Sequence, residues 1–167
     1  EDGMDFLDIG GYSSKPGAKR ISSKIEISRI LPTLIFLRKT YPKLIISIDT
    51  FRSDIAKICL NEGADIINDI SSGELDEKMI KIISDFNCPY IMMHMSGNPQ
   101  NMQKSPKYKD VVIELINYLA KKVKFARDNG IVDLVIDPGF GFGKTIQHNY
   151  QLLNNLDKFK ILDIPML

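Results

Sequence analysis

Polar side chains stand at or near the end of several short apolar runs in this sequence. They are Asp8, Asp49, Asn68 with Asp69, His94 and Asp137. In α/β folds with a parallel sheet, active sites lie at the carboxyl ends of the strands. A single residue of this kind indicates a turn or a helix N-cap, but the repeated pattern predicts the polar floor of a pocket.

A glycine-rich segment at 137–145 follows the last of these apolar runs. Its sequence is Asp-Pro-Gly-Phe-Gly-Phe-Gly-Lys-Thr. A P-loop needs a glycine where Pro138 stands, and the dinucleotide-binding fingerprint needs G-x-G-x-x-G where this segment has G-x-G-x-G. We therefore predict a glycine loop in which Phe140 and Phe142 offer walls for a flat ligand. The alternative is a tight turn with core phenylalanines.

A second loop, at 10–17, is rich in glycine and small hydroxyls and carries one cation, Lys15. Loops of this kind often lie over active sites and move. His94 and His148 have no second histidine at metal-ligand spacing, so we predict hydrogen-bonded structural imidazoles. Met93 ends an apolar run, and we predict that it packs in the core or on an aromatic ligand.

The elements that must position these residues alternate along the chain. Apolar runs at 6–9, 44–48, 65–67, 90–93 and 134–136 are too short for helices and predict buried strands. Amphipathic segments between them predict helices. The first of these begins at a cap on Ser22 or Ser23, with Pro32 near its first turns or bending it, and the last spans about 149–156. This alternation predicts one α/β domain, 1–167, with a parallel sheet.

Composition excludes several classes of protein. The 167 residues include 22 basic and 21 acidic side chains without a basic stripe, so nucleic acid is not an expected partner. Cys59 and Cys88 form no CxxC pair and indicate buried thiols of a reduced, cytoplasmic protein. No run reaches the roughly 18 apolar residues of a membrane span, so we expect no membrane partner. The chain opens on Glu1, and we expect it to start inside a domain.

A set of short motifs occurs in the order that is typical of the dihydropteroate synthase family. They are Leu-Asp-Ile-Gly-Gly at 7–11 with Ser-Ser-Lys-Pro-Gly at 13–17, Ser-Ile-Asp-Thr at 47–50, Ile-Asn-Asp-Ile at 67–70, Met-His-Met at 93–95 and Asp-Pro-Gly-Phe-Gly-Phe-Gly-Lys at 137–144. Some are weak individually, but the ordered set is specific. The chain resembles this family over its whole length.

The resemblance implies a (β/α)8 TIM barrel, present here in part, from about the second strand to the beginning of the seventh at 164–167. It implies a transferase of folate biosynthesis that condenses 4-aminobenzoate with 6-hydroxymethyl-7,8-dihydropterin diphosphate. The products are 7,8-dihydropteroate and diphosphate. It also implies that the reaction uses Mg²⁺, that no protein nucleophile is required, and that the complete protein is a homodimer.

The resemblance also assigns the site. The pterin-binding residues would be Asp8, Asp49, Asn68, Ile70, Met93, Asp137 and Phe142, and the loop closing over aminobenzoate and diphosphate would contain Ser13, Ser14, Lys15 and Pro16. The chemistry agrees with this assignment. A carboxylate such as Asp137 can accept from the amino group and the neighbouring ring N–H of a pterin, while the Asn68 amide can donate and accept on the remaining ring edge.

Two departures from the family pattern matter. Many members have Thr-Arg where this chain has Ser14-Lys15, so a planar guanidinium is replaced by a point charge. The family's first strand, with an asparagine near the metal, and its final strands, with Ser-Arg-Lys and Arg-x-His, would lie outside this chain. We therefore expect no metal ligand within the chain and little activity from this segment alone.

Two alternatives stay open. A pterin-binding methyltransferase acting on methyltetrahydrofolate has the same barrel and the same carboxylate–asparagine contact with the pterin, although the segments 13–16 and 140–144 favour the synthase. A non-catalytic pterin-binding module is the other alternative, if the chain is complete as given. The reason to retain it is the lack of the metal and anion residues.

Overall fold

Strands and helices alternate along the chain in a computed structural model that describes residues 3–15, 17–103 and 106–167. The strands form one parallel sheet in the order β1-β2-β3-β4-β5. They are β1 Leu7–Gly10, β2 Ile46–Asp49, β3 Ile66–Asp69, β4 Tyr90–Met93 and β5 Leu134–Asp137. The predicted α/β class and parallel sheet are therefore confirmed.

A helix follows each strand and covers one side of the sheet. The helices are α1 Ser23–Thr40, α2 Ser53–Asn61, α3 Lys78–Phe86, α4 Val111–Asp128 and α5 Ile146–Leu153, followed by a 3-10 helix at Leu156–Leu162. Ser22 is the N-cap of α1, and its hydroxyl accepts from the Ile25 N–H at 3.4 Å, as the sequence predicts. A membrane-spanning helix is not found among the described residues.

Element boundaries differ from the sequence prediction in ways that have local causes. Three strands, β2, β3 and β5, extend through the polar residues that follow the predicted apolar runs. In β2, for example, Asp49 still pairs in register with Gly10 and Asn68. Helix α5 begins at Ile146, before the predicted position 149, because Thr145 and His148 form a reciprocal capping box. Pro32 lies in the interior of α1, which continues to Thr40.

The two faces of the sheet differ in character. Alternate strand residues face the helices and form the main apolar core, which includes Ile46, Ile48, Ile67, Tyr90, Met92, Leu134 and Ile136. Because side chains alternate along a strand, the residues between them face the opposite side. Those residues include most of the polar side chains that the sequence assigns to a pocket.

The chain returns to the sheet after the 3-10 helix. Ile136 of β5 forms an isolated parallel bridge with Met166, and its N–H donates to the Pro165 carbonyl at 2.9 Å. This pairing agrees with the prediction that a further strand begins near residue 164.

Candidate functional site

The register of the sheet brings the predicted pterin-binding residues to one face. Asp49 of β2 pairs with Asn68 of β3, and Met93 of β4 pairs with Asp137 of β5. Asn68 pairs with Ile91, which is two residues before Met93 and so shares its face. The four side chains Asp49, Asn68, Met93 and Asp137 therefore lie on the same side of the sheet, near its carboxyl edge.

Asp8 lies on the same face but deeper than the other acidic residues. It pairs in register with Ser47, two residues before Asp49. Its Oδ2 accepts a hydrogen bond from Asn68 Nδ2 at 3.1 Å. This bond orients the amide of Asn68 and leaves the amide oxygen available to a ligand N–H.

The Asp49 carboxyl is the most perturbed acid on this face. Burial raises the pKa of Asp49 to about 7, and the negative charges of Asp8, Asp69 and Glu26 add to the effect. Gly10 lies beside it, and a Cβ at that position would be 3.3 Å from Asp49 Oδ2. A buried carboxyl of this kind gains from a ligand that supplies hydrogen-bond donors.

Asp137 ends β5 and begins the glycine loop. Its Oδ1 accepts from the Gly139 N–H at 2.7 Å. Burial raises the pKa of Asp137, while the Gly139 hydrogen bond and the Lys144 ammonium act in the opposite direction. The carboxyl is thus fixed by one oxygen at the predicted position.

An apolar group, which we call the mouth cluster, borders these polar residues. It consists of Ile70, Met93, Met95 and Met102, with Phe51 and Phe142 packed against them. Gly139 brings the glycine loop onto β4, since a Cβ there would lie 2.9 Å from Met93 Cγ and would also overlap the His94 carbonyl oxygen. Three predicted pterin-binding residues, Ile70, Met93 and Phe142, therefore belong to one apolar wall.

Lys144 joins the loops that follow β4 and β5. Its buried ammonium donates to the carbonyl oxygens of Gly139 at 2.8 Å, Phe142 at 3.0 Å and His94 at 3.1 Å, and lies 3.2 Å from His94 Nδ1. Burial lowers the pKa of Lys144 to about 7, although the nearby Asp137 charge opposes the shift. Lys144 therefore orders the glycine loop.

Two of the polar residues at strand ends do not belong to the pocket floor, and the prediction is wrong for them. Asp69 is fully buried on the side of the helices, where it accepts from the Tyr90 hydroxyl at 2.7 Å. His94 packs edge-on against Tyr118 of α4 with ring centroids 4.8 Å apart. Burial lowers the pKa of His94 to about 3, so it is neutral. The structural role predicted for both histidines is confirmed, since His148 caps α5.

The predicted closing loop lies between β1 and α1. Ser13 and Lys15 are exposed and Ser14 is partly exposed. The Lys15 carbonyl accepts from the Ala18 N–H at 2.9 Å. Pro16, the remaining predicted residue of this loop, lies outside the described residues.

No metal site is formed by the described residues. Within 3–15, 17–103 and 106–167, no three His, Cys, Asp or Glu side chains gather closely enough to hold an ion. Cys59 and Cys88 are buried free thiols, and burial raises the pKa of each to about 12.

Sequence reasoning missed a buried ion pair beneath the closing loop. Glu26 of α1 is fully buried and accepts from Thr50 Oγ1 at 2.7 Å and from the Arg52 guanidinium. Glu26 stands four residues before Ile30 and eight before Leu34, so the three share a helix face. A charged residue on that apolar stripe was the available signal.

Comparison with known proteins agrees with this geometry. A model described as pterin binding enzyme matches residues 1–167. The chain belongs to this family. It is 38% identical to a dihydropteroate synthase of Synechocystis over 99% of its own length and 57% of that relative, and 37% identical to that of Escherichia coli over 99% and 58%.

Solved structures of family members show the same fold. A Yersinia pestis dihydropteroate synthase in complex with a sulfonamide drug has a TM-score of 0.94 and 34% identity, covering 98% of this chain and 60% of that one. A Xanthomonas albilineans dihydropteroate synthase in complex with 7,8-dihydropteroate has a TM-score of 0.85 and 31% identity, with 98% and 57% covered. The chain thus forms part of a (β/α)8 barrel and spans about 57% to 60% of these proteins.

Proposed function

We propose that the protein is a dihydropteroate synthase, which joins 4-aminobenzoate to 6-hydroxymethyl-7,8-dihydropterin diphosphate. The observation that carries the proposal is the placement of Asp49, Asn68 and Asp137 on one face of the sheet beside the mouth cluster. The names of the relatives and the ligands in the two solved complexes support it.

In this proposal the polar residues bind the pterin edge and the apolar residues bind its faces. Asp137 and Asp49 accept hydrogen bonds from N–H groups, and Asn68 donates and accepts beside them. Met93 and Phe142 contact the ring faces, because a thioether and an aromatic ring both pack well on a flat heterocycle. Asp8 acts one layer below by holding the Asn68 amide.

The reaction is a substitution at the methylene carbon next to the pterin ring. The amine nitrogen of 4-aminobenzoate forms a bond to that carbon, the carbon–oxygen bond to diphosphate breaks, and the nitrogen loses one proton. This chain's residues orient the two reactants, which lowers the entropic part of the activation barrier. Ser13, Ser14, Lys15 and Pro16 would close over aminobenzoate and diphosphate, with the Lys15 ammonium attracting the anion.

Magnesium is the cofactor that the resemblance implies. Among the described residues no three His, Cys, Asp or Glu side chains gather, so these residues do not form a cage for the ion by themselves. We propose that the ion is bound by residues outside this chain, and we assign no step of the reaction to it. We also propose a cytoplasmic homodimer for the complete protein, testable by cell fractionation and by light scattering coupled to gel filtration.

Turnover of both substrates tests the function. We expect the complete protein to release dihydropteroate and diphosphate in equal amounts when magnesium and both substrates are present. The control is a parallel assay with methyltetrahydrofolate as methyl donor and a thiol acceptor. Methyl transfer without dihydropteroate formation would contradict the synthase and favour the methyltransferase, and pterin binding with neither reaction would favour a non-catalytic module.

A further inference from the structure

The closing loop has two ends, and one arginine contacts both. We refer to Tyr12 and Ile21 as the two feet of the loop, because they flank the segment that contains Ser13, Ser14 and Lys15. Arg52 Nη2 donates to the Ile21 carbonyl at 2.6 Å. The guanidinium carbon of Arg52 lies 5.4 Å from the Tyr12 ring centroid, within the range of a cation–π contact.

The Arg52 guanidinium is itself fixed by contacts with buried residues outside the loop. Its Nη1 pairs with Glu26, a carboxylate with no exposed surface, which also accepts from Thr50 Oγ1 at 2.7 Å. The Phe51 ring centroid lies 5.2 Å from the Arg52 guanidinium carbon. A planar group with several fixed donors can serve a carboxylate, a carbonyl and two ring faces at once, which an ammonium cannot do.

The Tyr12 foot is fixed by further contacts. Its ring packs edge-on against Phe51 at 5.3 Å between centroids, and its hydroxyl accepts from Gln100 Nε2 at 2.8 Å. Gly11 next to it is bound to α1, since Arg29 Nη1 donates to the Gly11 carbonyl oxygen at 2.9 Å. Displacing this foot therefore requires breaking contacts with three separate segments.

The contacts of Arg52 connect the loop to the pocket. Phe51, on which Arg52 and Tyr12 both pack, belongs to the mouth cluster with Met93. Thr50, which shares Glu26 with Arg52, directly follows Asp49 on β2. The position of the loop is thus coupled to the pocket through short contacts.

We propose that Arg52 is a positioning residue, which holds both feet of the closing loop and so determines where Ser14 and Lys15 lie over the second substrate. The part of this inference that concerns the substrate rests on the proposed function, whereas the part that concerns loop order does not. Arg52 acts through the loop and has no assigned contact with the reacting atoms.

Cleavage by trypsin measures loop order without reference to any activity. Lys19 and Arg20 lie between the feet, and both are exposed. We expect Arg52→Met to raise the rate of cleavage after these residues by about tenfold relative to cleavage elsewhere, because hydrogen bonds of a charged group are lost. Arg52→Lys keeps the charge but has one nitrogen in place of the two that reach Glu26 and the Ile21 carbonyl, and we expect an intermediate rate.

Arg38 provides a matched control. Its guanidinium also donates to backbone carbonyl oxygens, those of Gly63, Pro42 and Leu44, each at 2.9 Å, and it forms an ion pair with Asp65. These partners lie at the opposite end of the sheet from the closing loop. Arg38→Met should destabilise the fold without a selective rise in cleavage after Lys19 and Arg20. Equal loop cleavage in the parent, Arg52→Lys and Arg52→Met would overturn the proposal.

Kinetics of the complete protein separate this inference from the proposed function. We expect Arg52→Lys to raise the KM for aminobenzoate by about fivefold to tenfold while the pterin Kd changes less than about twofold, since Asp49, Asn68 and Asp137 are untouched. An equal loss in pterin binding would overturn the positioning role. If the parent protein shows no synthase activity, the proposed function fails, and the trypsin result still decides whether Arg52 orders the loop.

Discussion

Asn68 and Asp69 are neighbours on β3, yet they face opposite sides of the sheet and have different surroundings. Asp69 Oδ1 accepts from the Ser71 N–H and hydroxyl, both at 2.8 Å, and Oδ2 accepts from the Gly73 N–H and the Tyr90 hydroxyl, both at 2.7 Å. Asn68 donates to Asp8 at 3.1 Å, on the pocket face. On the helix side, both carboxylate oxygens of Asp69 thus accept hydrogen bonds from groups of the protein.

Glu26 and Asp49 repeat the contrast. Burial raises the pKa of Glu26, on the helix side, but its partners Thr50 and Arg52 act in the opposite direction. Burial raises the pKa of Asp49, on the pocket face, to about 7, and its acidic neighbours add to the shift. A buried carboxylate that is surrounded by donors serves the fold, whereas one surrounded by other acids has unused capacity for a ligand.

The largest expected effect is a loss of stability when Asp69, on the helix side, is replaced. Asp69→Ala removes the acceptor of the Tyr90 hydroxyl and of two backbone N–H groups, so we expect a loss of about 3–5 kcal/mol in the free energy of unfolding. Urea denaturation followed by circular dichroism measures it. Asn68→Ala is the matched control on the pocket face and should cost much less. If Asp69→Ala and Asn68→Ala lower the free energy of unfolding equally, the helix side and the pocket face do not differ in their contribution to stability.

The next effect concerns the pocket face. Asp137→Asn replaces an acceptor with a group that also donates, and we expect pterin binding to weaken by about 1–3 kcal/mol, the cost of an unsatisfied polar contact. The fold should be less affected, because within the described part of the chain a single backbone N–H, that of Gly139, bonds to Asp137. Calorimetric titration with a dihydropterin measures the affinity. Affinity equal to that of the parent would exclude Asp137 from the site.

The sequence predicts this fold and much of the candidate site for identifiable reasons. Apolar runs bounded by polar residues mark the strands, and the parallel order then brings Asp49, Asn68 and Asp137 together. The pattern alone does not determine which side an end residue faces, because the continuous apolar pair at 66–67 shows no alternation before Asn68 and Asp69. His94 is misassigned for another reason, since it follows the last residue of β4. The Glu26–Arg52 pair joins residues 26 positions apart and needs the tertiary fold to be seen.

The smallest expected effect is a dependence on pH that originates at Asp49. Its pKa in the folded protein is about 7 against an ordinary value of 3.8, so folding disfavours the ionised carboxyl. The stability that Asp49 contributes is fully present below pH 3.8 and is lost as pH rises toward 7. A pterin that donates N–H groups prefers the ionised form, and its binding should therefore release a proton near pH 6.

Proton release separates Asp49 from the other acids of the pocket. Calorimetric titrations at pH 6 in two buffers of different ionisation enthalpy should give binding enthalpies that differ in proportion to the protons released. The affinity should fall by up to about tenfold per pH unit below the pKa of Asp49. Asp49→Asn should remove most of the buffer difference, whereas Asp8→Asn should keep a smaller one, because the Asp8 charge is one of the causes of the raised pKa of Asp49. If the buffer difference survives in Asp49→Asn, the perturbed acid of the pocket is another residue, and the contrast between Glu26 and Asp49 loses its functional meaning.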